Sequence, residues 1–140
     1  MKNICAGIDF GTTNTTAAVY TGGSAPRIIP LENEHQTIPS AIFLPESGGG
    51  TFFGRDAMRW YLDGEPGRIL RSLKRVLGTD LMKNGTVIAE RRLDFRAIIG
   101  EFIRHVKNKL DAAAISDVTD VVMGRPVHFR DNDAAGDAAA

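Results

Sequence analysis

The sequence predicts an α/β fold. Strand patterns occupy the first part of the chain, helical patterns follow, and one more apolar strand precedes a last alanine-rich segment. This order favours an α/β layer with an additional lobe inserted into it. We therefore divide the chain into a base subdomain, residues 1–39 and 116–140, and a peripheral α+β subdomain, residues 40–115.

The first three predicted strands form a meander. The apolar run from Ile4 to Phe10 is followed by a tight turn of small residues and by a β-branched run from Thr15 to Tyr20. After a glycine-rich turn, the segment from Pro26 to Leu31 is short and extended. This alternation of strand-forming runs and turn residues predicts three neighbouring strands at the start of the base.

A second hairpin and two helices are predicted next. Ala41 to Leu44 and Thr51 to Phe53 flank a glycine-rich turn, which is typical of a hairpin. The residues from Asp56 to Leu62 have a helical pattern. We predict a second helix over Pro66 to Leu77, because proline suits a first turn, Gly78 suits a C-terminal cap, and apolar residues recur at helical spacing.

The clearest helix is predicted from Asp94 to Leu110. Its apolar residues fall on one stripe, an acidic residue stands at its start, and Lys107 and Lys109 lie near its end, where cations suit the helix dipole. The next predicted strand, Asp120 to Val127, is mostly apolar. Such a strand is typical of one that is buried on both faces of a sheet.

The composition is that of an ordinary globular protein. Hydrophobic residues make up 43% of the chain and charged residues 24%, and 17 basic residues balance 17 acidic ones, so charge favours neither nucleic acid nor membrane as a partner. The one cysteine, Cys5, excludes an internal disulfide and a cysteine-based metal site. No apolar run approaches the roughly 20 residues of a membrane helix, and we expect a cytoplasmic protein.

The turn between the first two strands carries the strongest chemical signal. The stretch from Gly7 to Thr15 reads GIDFGTTNT and presents backbone N–H groups, hydroxyls and one carboxylate together. Gly11 would let the backbone approach a phosphate, and Thr12 and Thr13 would donate hydrogen bonds to β- and γ-phosphate oxygens. Asp9 could hold Mg²⁺ through water, and a turn-forming aspartate is the alternative interpretation.

Several motifs in a fixed order resemble the nucleotide-binding domain of the Hsp70 (DnaK-like) chaperones. After DFGTTN come TIPS at Thr37 to Ser40, FGRDA at Phe53 to Ala57, LKRVLG at Leu73 to Gly78 and VMGRPVHF at Val122 to Phe129. The first motif by itself recurs in actin-like proteins and sugar kinases, whereas the order and separation of the set are specific. The resemblance spans the whole chain and is that of a divergent member.

The resemblance implies an actin-like ATPase fold of the ribonuclease H-like type, in which two lobes enclose a nucleotide cleft. The chain would be the N-terminal portion of that domain, an incomplete first lobe, either as a fragment or as the product of a truncated gene. ATP or ADP with Mg²⁺ would be the cofactors. Unfolded client polypeptide, bound through a missing C-terminal domain, and co-chaperones would be the partners. Without the opposite wall of the cleft, the chain alone is expected to hydrolyse ATP poorly.

The resemblance also implies roles for single residues. Asn14 would complete the phosphate-binding turn. Lys74 would reach across the cleft to the γ-phosphate and the attacking water, so that Lys74 and Asp9 would be the catalytic residues. From spacing alone, a lysine on the polar side of an amphipathic helix is simply solvated.

One implied role concerns the coupling between domains. Pro126 matches a proline that would transmit the nucleotide state to the peptide-binding domain, and a strand-ending proline is the alternative. The chain departs from the family at Ala134, where an arginine is usual. The relay would then be altered, or Arg125 or Arg130 would substitute.

Two other functional classes remain open. A sugar-kinase-like phosphotransferase shares the first turn but takes an acidic base from a later region of the chain, and the predicted helix containing Lys74 argues against it. A filament-forming actin-like protein would use nucleotide hydrolysis to time its assembly.

Overall fold

The computed structural model describes residues 4–124. In these residues the architecture is mixed α/β, with three sheets and three α-helices. The strands are β1 (Cys5–Phe10), β2 (Asn14–Tyr20), β3 (Arg27–Ile28), β4 (Thr37–Pro39), β5 (Ala41–Pro45), β6 (Phe52–Phe53), β7 (Gly67–Arg71), β8 (Thr86–Ile88), β9 (Arg91–Leu93) and β10 (Asp120–Met123). The helices are α1 (Gly54–Leu62), α2 (Leu81–Asn84) and α3 (Phe95–Ala114), with a 3-10 helix at Leu73–Val76.

The largest sheet contains the predicted meander. Its strand order is β10-β1-β2-β3, and β4 pairs with β2 beyond the end of β3. The pairs β1/β2 and β2/β3 are antiparallel, which confirms the meander, and β10 runs parallel to β1. The tight turn that carries the chemical signal therefore connects two central, fully paired strands.

Helix α3 packs on one face of this sheet and confirms the clearest helix prediction. Its first turn is capped by Asp94, whose side chain accepts a hydrogen bond from the N–H of Arg96 at 2.7 Å. The Phe102 ring lies 5.8 Å from the ring of Phe10 on β1. The helix residues buried in this core are Phe95, Ile98, Phe102, Val106 and Leu110. The stripe read from the sequence is the face that packs.

The second hairpin and the first helix are also confirmed. Strand β5 pairs antiparallel with β6, and α1 follows directly. No side chain at the N-terminus of α1 caps it locally. Instead, the Glu32 carboxylate accepts hydrogen bonds from the Arg55 backbone N–H at 2.7 Å and from its guanidinium at 2.6 Å. A residue of the β3–β4 connection thus caps a helix that is distant in sequence.

The helix predicted over Pro66 to Leu77 is wrong. Gly67–Arg71 is strand β7, antiparallel to β5, and only Leu73–Val76 is helical, as a 3-10 turn. The reason lies in packing: Ile69 contacts the small cluster built on Phe43, whereas its neighbour Leu70 contacts the main core. Two adjacent residues that face opposite sides require the period of a strand.

Strand β10 is exposed, whereas a strand buried on both faces was predicted. Val122 is 74% exposed and Met123 is 43% exposed. The cause is position, because β10 is the last strand in the sheet order and pairs only with β1 within residues 4–124. No helix in the part of the chain that the structure describes is long and apolar enough to cross a membrane.

Candidate functional site

The turn between β1 and β2 closes tightly around Gly11. A Cβ atom at this position would clash with the backbone carbonyl oxygen of Asn14. Glycine is therefore required for the closure of the turn itself, before any ligand is considered. Thr13 and Asn14 are exposed at its tip, and Thr12 is half-buried.

Ser40 holds this turn from behind. Its backbone N–H donates to the Thr13 carbonyl at 2.9 Å, and its hydroxyl donates to the Gly11 carbonyl at 2.8 Å. The same hydroxyl lies 2.9 Å from the hydroxyl of Thr15, and both side chains are fully buried. Two carbonyl groups of the turn are thus engaged by the protein.

The backbone N–H groups of the turn are not engaged in the same way. Within residues 4–124, neither Thr12 nor Thr13 donates its backbone N–H to another protein group. Successive backbone donors that are left available in a tight turn form an anion-binding concavity. With the Gly11 and Thr13 carbonyls bonded to Ser40, the available N–H groups of Thr12 and Thr13 supply the polarity that a phosphate requires.

A cavity of about 280 Å³ opens beside the turn. Thr12, Thr13 and Asn14, the residues predicted to bind phosphate, line it together. It is also lined by Arg71, the last residue of β7, and by Ser72, the residue after it. This cavity places three of the predicted site residues beside Ser40, Arg71 and Ser72, which sequence analysis did not select as site residues.

Asp9 lies on β1, before the turn, and does not line this cavity. It is exposed, pairs with Thr16 of β2, and lines a separate groove of about 340 Å³ on the face of the sheet opposite α3. Magnesium is often held by one or two carboxylates and by phosphate oxygens, with water completing the shell. Asp9 supplies one exposed carboxylate, but it lines a different groove from the cavity that Thr12, Thr13 and Asn14 line. The described residues contain no cluster of three or more metal-binding side chains.

Lys74 is half-buried in the 3-10 helix, three residues after Arg71. It does not line the cavity beside the turn. The alternative interpretation placed Lys74 on the polar face of an amphipathic helix over Pro66 to Leu77. That helix is absent, because Gly67–Arg71 is a strand and only Leu73–Val76 is helical. Pro126 and Ala134 lie outside the described residues.

Two functional candidates escaped sequence analysis. Ser40 belongs to the TIPS segment, and its position next to a strand start was the available signal. Arg71 was missed because the segment was predicted to be a helix. A helix at this position does not predict the pairing with β5 that brings Arg71 near the β1–β2 turn. Both residues are brought to the turn by contacts between segments that are distant in sequence, and only the tertiary structure shows these contacts.

A second cavity, of about 420 Å³, is lined by residues of the β3–β4 connection, by β6 and the start of α1, and by His105 and Lys109 of α3. The His105 imidazole on α3 stacks on the Phe53 ring with 4.5 Å between the ring centroids. Burial, and secondarily the charge of Lys109, lower the pKa of His105, while Glu32 and Asp56 oppose this shift. The neutral imidazole is thereby favoured in the folded protein.

No protein-family model matches this chain.

Proposed function

We propose that this chain is the first part of an ATP-binding and ATP-hydrolysing domain of the Hsp70 type, with an actin-like fold. The observation that carries the proposal is the β1–β2 turn, in which Ser40 occupies the carbonyls of Gly11 and Thr13 and two backbone N–H groups remain available. The chaperone branch is supported by the order of the motifs along the chain. Client polypeptides and co-chaperones would be bound by the complete protein.

The roles of the site residues follow from the demands of phosphoryl transfer, which are positioning and charge neutralisation. The turn residues Thr12, Thr13 and Asn14 would bind the phosphate chain through backbone and side-chain donors. Asp9 would hold Mg²⁺ through water, and the ion when bound neutralises charge on the β- and γ-phosphate oxygens. Lys74 would place a cation near the transferred group.

The experiment is a calorimetric titration of MgATP into the protein, accompanied by turnover measurements. We expect Asp9→Ala to weaken binding by about tenfold and Lys74→Ala to lower turnover by about a hundredfold or more. Asp80→Ala and Lys83→Ala are matched controls, because both residues are exposed and lie outside the turn and its cavity. The 140-residue chain alone should turn over ATP slowly, so turnover is measured in the full-length protein.

Absence of MgATP binding, or equal loss in the control variants, would refute the proposal. The corrected conformation of the Lys74 segment removes one argument against a sugar-kinase-like phosphotransferase, so the same preparation is assayed for phosphorylation of added sugars. Sedimentation with ATP at several protein concentrations tests for a filament-forming actin-like protein. Either activity in place of peptide-stimulated ATP hydrolysis would reassign the function within ATP-dependent proteins.

A further inference from the structure

Arg71 stands at the mouth of the cavity beside the β1–β2 turn. It is the last residue of β7, its side chain is exposed, and it lines the cavity together with Thr12, Thr13 and Asn14. Within residues 4–124 its guanidinium forms no ion pair, and no side-chain hydrogen bond occupies it. A cation with no protein partner therefore faces the same space as the available backbone donors.

The position of Arg71 is set by a short chain of hydrogen-bonded neighbours. In the β5–β7 pairing, Arg71 is opposite Ala41. Ala41 directly follows Ser40, which holds the carbonyls of Gly11 and Thr13. The backbone of Arg71 is thus connected to the turn through one strand pair and one buried serine, which fix the position of its Cα relative to the turn.

The backbone after Arg71 also departs from an ordinary strand end. Ser72 has a left-handed conformation with φ of 56°, which is uncommon for a residue other than glycine. This reversal ends β7 at the cavity and starts the 3-10 helix that carries Lys74. The segment from Arg71 to Arg75 contains three cations and no acidic residue. Strained backbone of this kind tends to accompany binding sites.

We propose that Arg71 binds the phosphate chain of a nucleoside triphosphate, as a second cation in addition to Lys74. This inference rests on the proposed function, because it assigns a further residue to the same site. A guanidinium presents a planar fork of donors that matches phosphate oxygens, and it keeps its charge at any physiological pH. The ligand class is a polyphosphate chain, so we expect loss of the Arg71 guanidinium to weaken the binding of triphosphates. The fold should be kept, because the Arg71 side chain is exposed.

The test compares Arg71→Gln with Arg68→Gln in titrations of MgATP and of inorganic tripolyphosphate into the full chain. Arg68 is the matched control, because it is an exposed arginine of the same strand that points to the opposite face and does not line the cavity. We expect Arg71→Gln to weaken both ligands about tenfold, and Arg68→Gln to leave both unchanged. Arg71→Lys keeps the charge without the fork and should fall between these values.

The outcomes separate this inference from the proposed function. If the unaltered protein binds neither ligand, the proposed function fails and this inference fails with it. If it binds both ligands and Arg71→Gln behaves like Arg68→Gln, only the role of Arg71 is refuted. Thermal unfolding of both variants shows whether the fold is kept, and an intermediate affinity of Arg71→Lys would exclude a purely structural effect.

Discussion

At the scale of single residues, Ser40 shows how one buried hydroxyl organises a turn. Its side chain bonds to the Gly11 carbonyl of the turn and to the Thr15 hydroxyl, and the two hydroxyl side chains are buried. A buried polar group that loses its partner keeps the cost of desolvation. The stability of the turn, and under the proposed function its binding of phosphate, therefore depend on the same serine.

Replacing this serine should affect both properties. We expect Ser40→Ala to lower the free energy of unfolding by about 1–3 kcal/mol, because the Gly11 carbonyl and the Thr15 hydroxyl each lose a partner. Denaturant unfolding measures the change, and MgATP titration should show weaker binding. Ser47→Ala, in an exposed loop, is the control and should change neither quantity. Unchanged stability of Ser40→Ala would contradict the hydrogen-bond arrangement.

His105 makes the stability dependent on pH. Its pKa is lowered from 6.5 in the folded protein, first by burial and then by Lys109. The unfolded chain therefore takes up a proton more readily than the folded one as the pH falls below about 6.5. The sign follows directly: the neutral imidazole stabilises the fold above this pH, and that contribution is lost as acidification approaches the lowered pKa.

The pH dependence can be assigned by substitution. We expect His105→Phe to keep the stacking on Phe53. As the pH falls from about 7 to about 5, the free energy of unfolding of this variant should decrease less than that of the unaltered protein. Denaturant unfolding at a series of pH values provides the measurement. His35→Phe is the control, because His35 is exposed. Identical slopes for the unaltered protein and His105→Phe would show that other groups titrate.

At the scale of elements, two glycines have opposite roles in the helices. Gly54 starts α1 with φ of 59°, and a Cβ atom there would clash with the Glu32 carboxylate and the Ile38 side chain. Gly100 lies within α3, where a Cβ atom would meet nothing within 4 Å. The first glycine is required by the junction between strand and helix, and the second only lowers the helix propensity.

Alanine at these two positions should therefore change stability in opposite directions. We expect Gly54→Ala to destabilise the protein by about 2 kcal/mol or more, through strain at a left-handed residue and disruption of the Glu32 cap. Gly100→Ala should stabilise it by about 0.5–1 kcal/mol. Thermal or denaturant unfolding of both variants provides the comparison. A shift of the same sign in both would contradict the structural distinction.

At the scale of the whole molecule, one face of the largest sheet is uncovered within the described residues. Val122, Gly7, Ala18 and Ile28 lie side by side across four strands on the face opposite α3. Val122 is 74% exposed and Ile28 is 50% exposed. An apolar row that ends at the unpaired edge of β10 favours association between chains.

Self-association should be reduced by a polar residue in this row. We expect Val122→Thr to lower light scattering of the concentrated chain at 37 °C (about physiological temperature), because it removes apolar surface and keeps the β-branched shape. Val87→Thr is the control, since Val87 is 58% exposed on the separate β8–β9 hairpin. If both variants scatter equally, the sheet face is not the site of association.

The sequence determined the elements whose signal is local. Strands β1 and β2 with their glycine turn, the second hairpin, α1 and α3 are all where the patterns predicted them, because alternation, helical stripes and caps act over a few residues. The phosphate-binding role of Thr12 and Thr13 was predicted from the local composition of the turn, that of Asn14 was implied only by the family resemblance, and both stay predictions. The actin-like fold, the ATPase activity and the roles of Asp9, Lys74 and Pro126 stay predictions.

Only the tertiary structure decided the remaining features. Gly67–Arg71 is a strand because adjacent side chains meet two different apolar clusters, and no local pattern carries that information. The exposure of β10 depends on its place in the sheet order. Ser40 is 29 residues from Gly11, and Arg71 reaches the turn only through pairing with β5. Contacts between distant segments depend on how the elements pack, and that packing is a property of the whole chain.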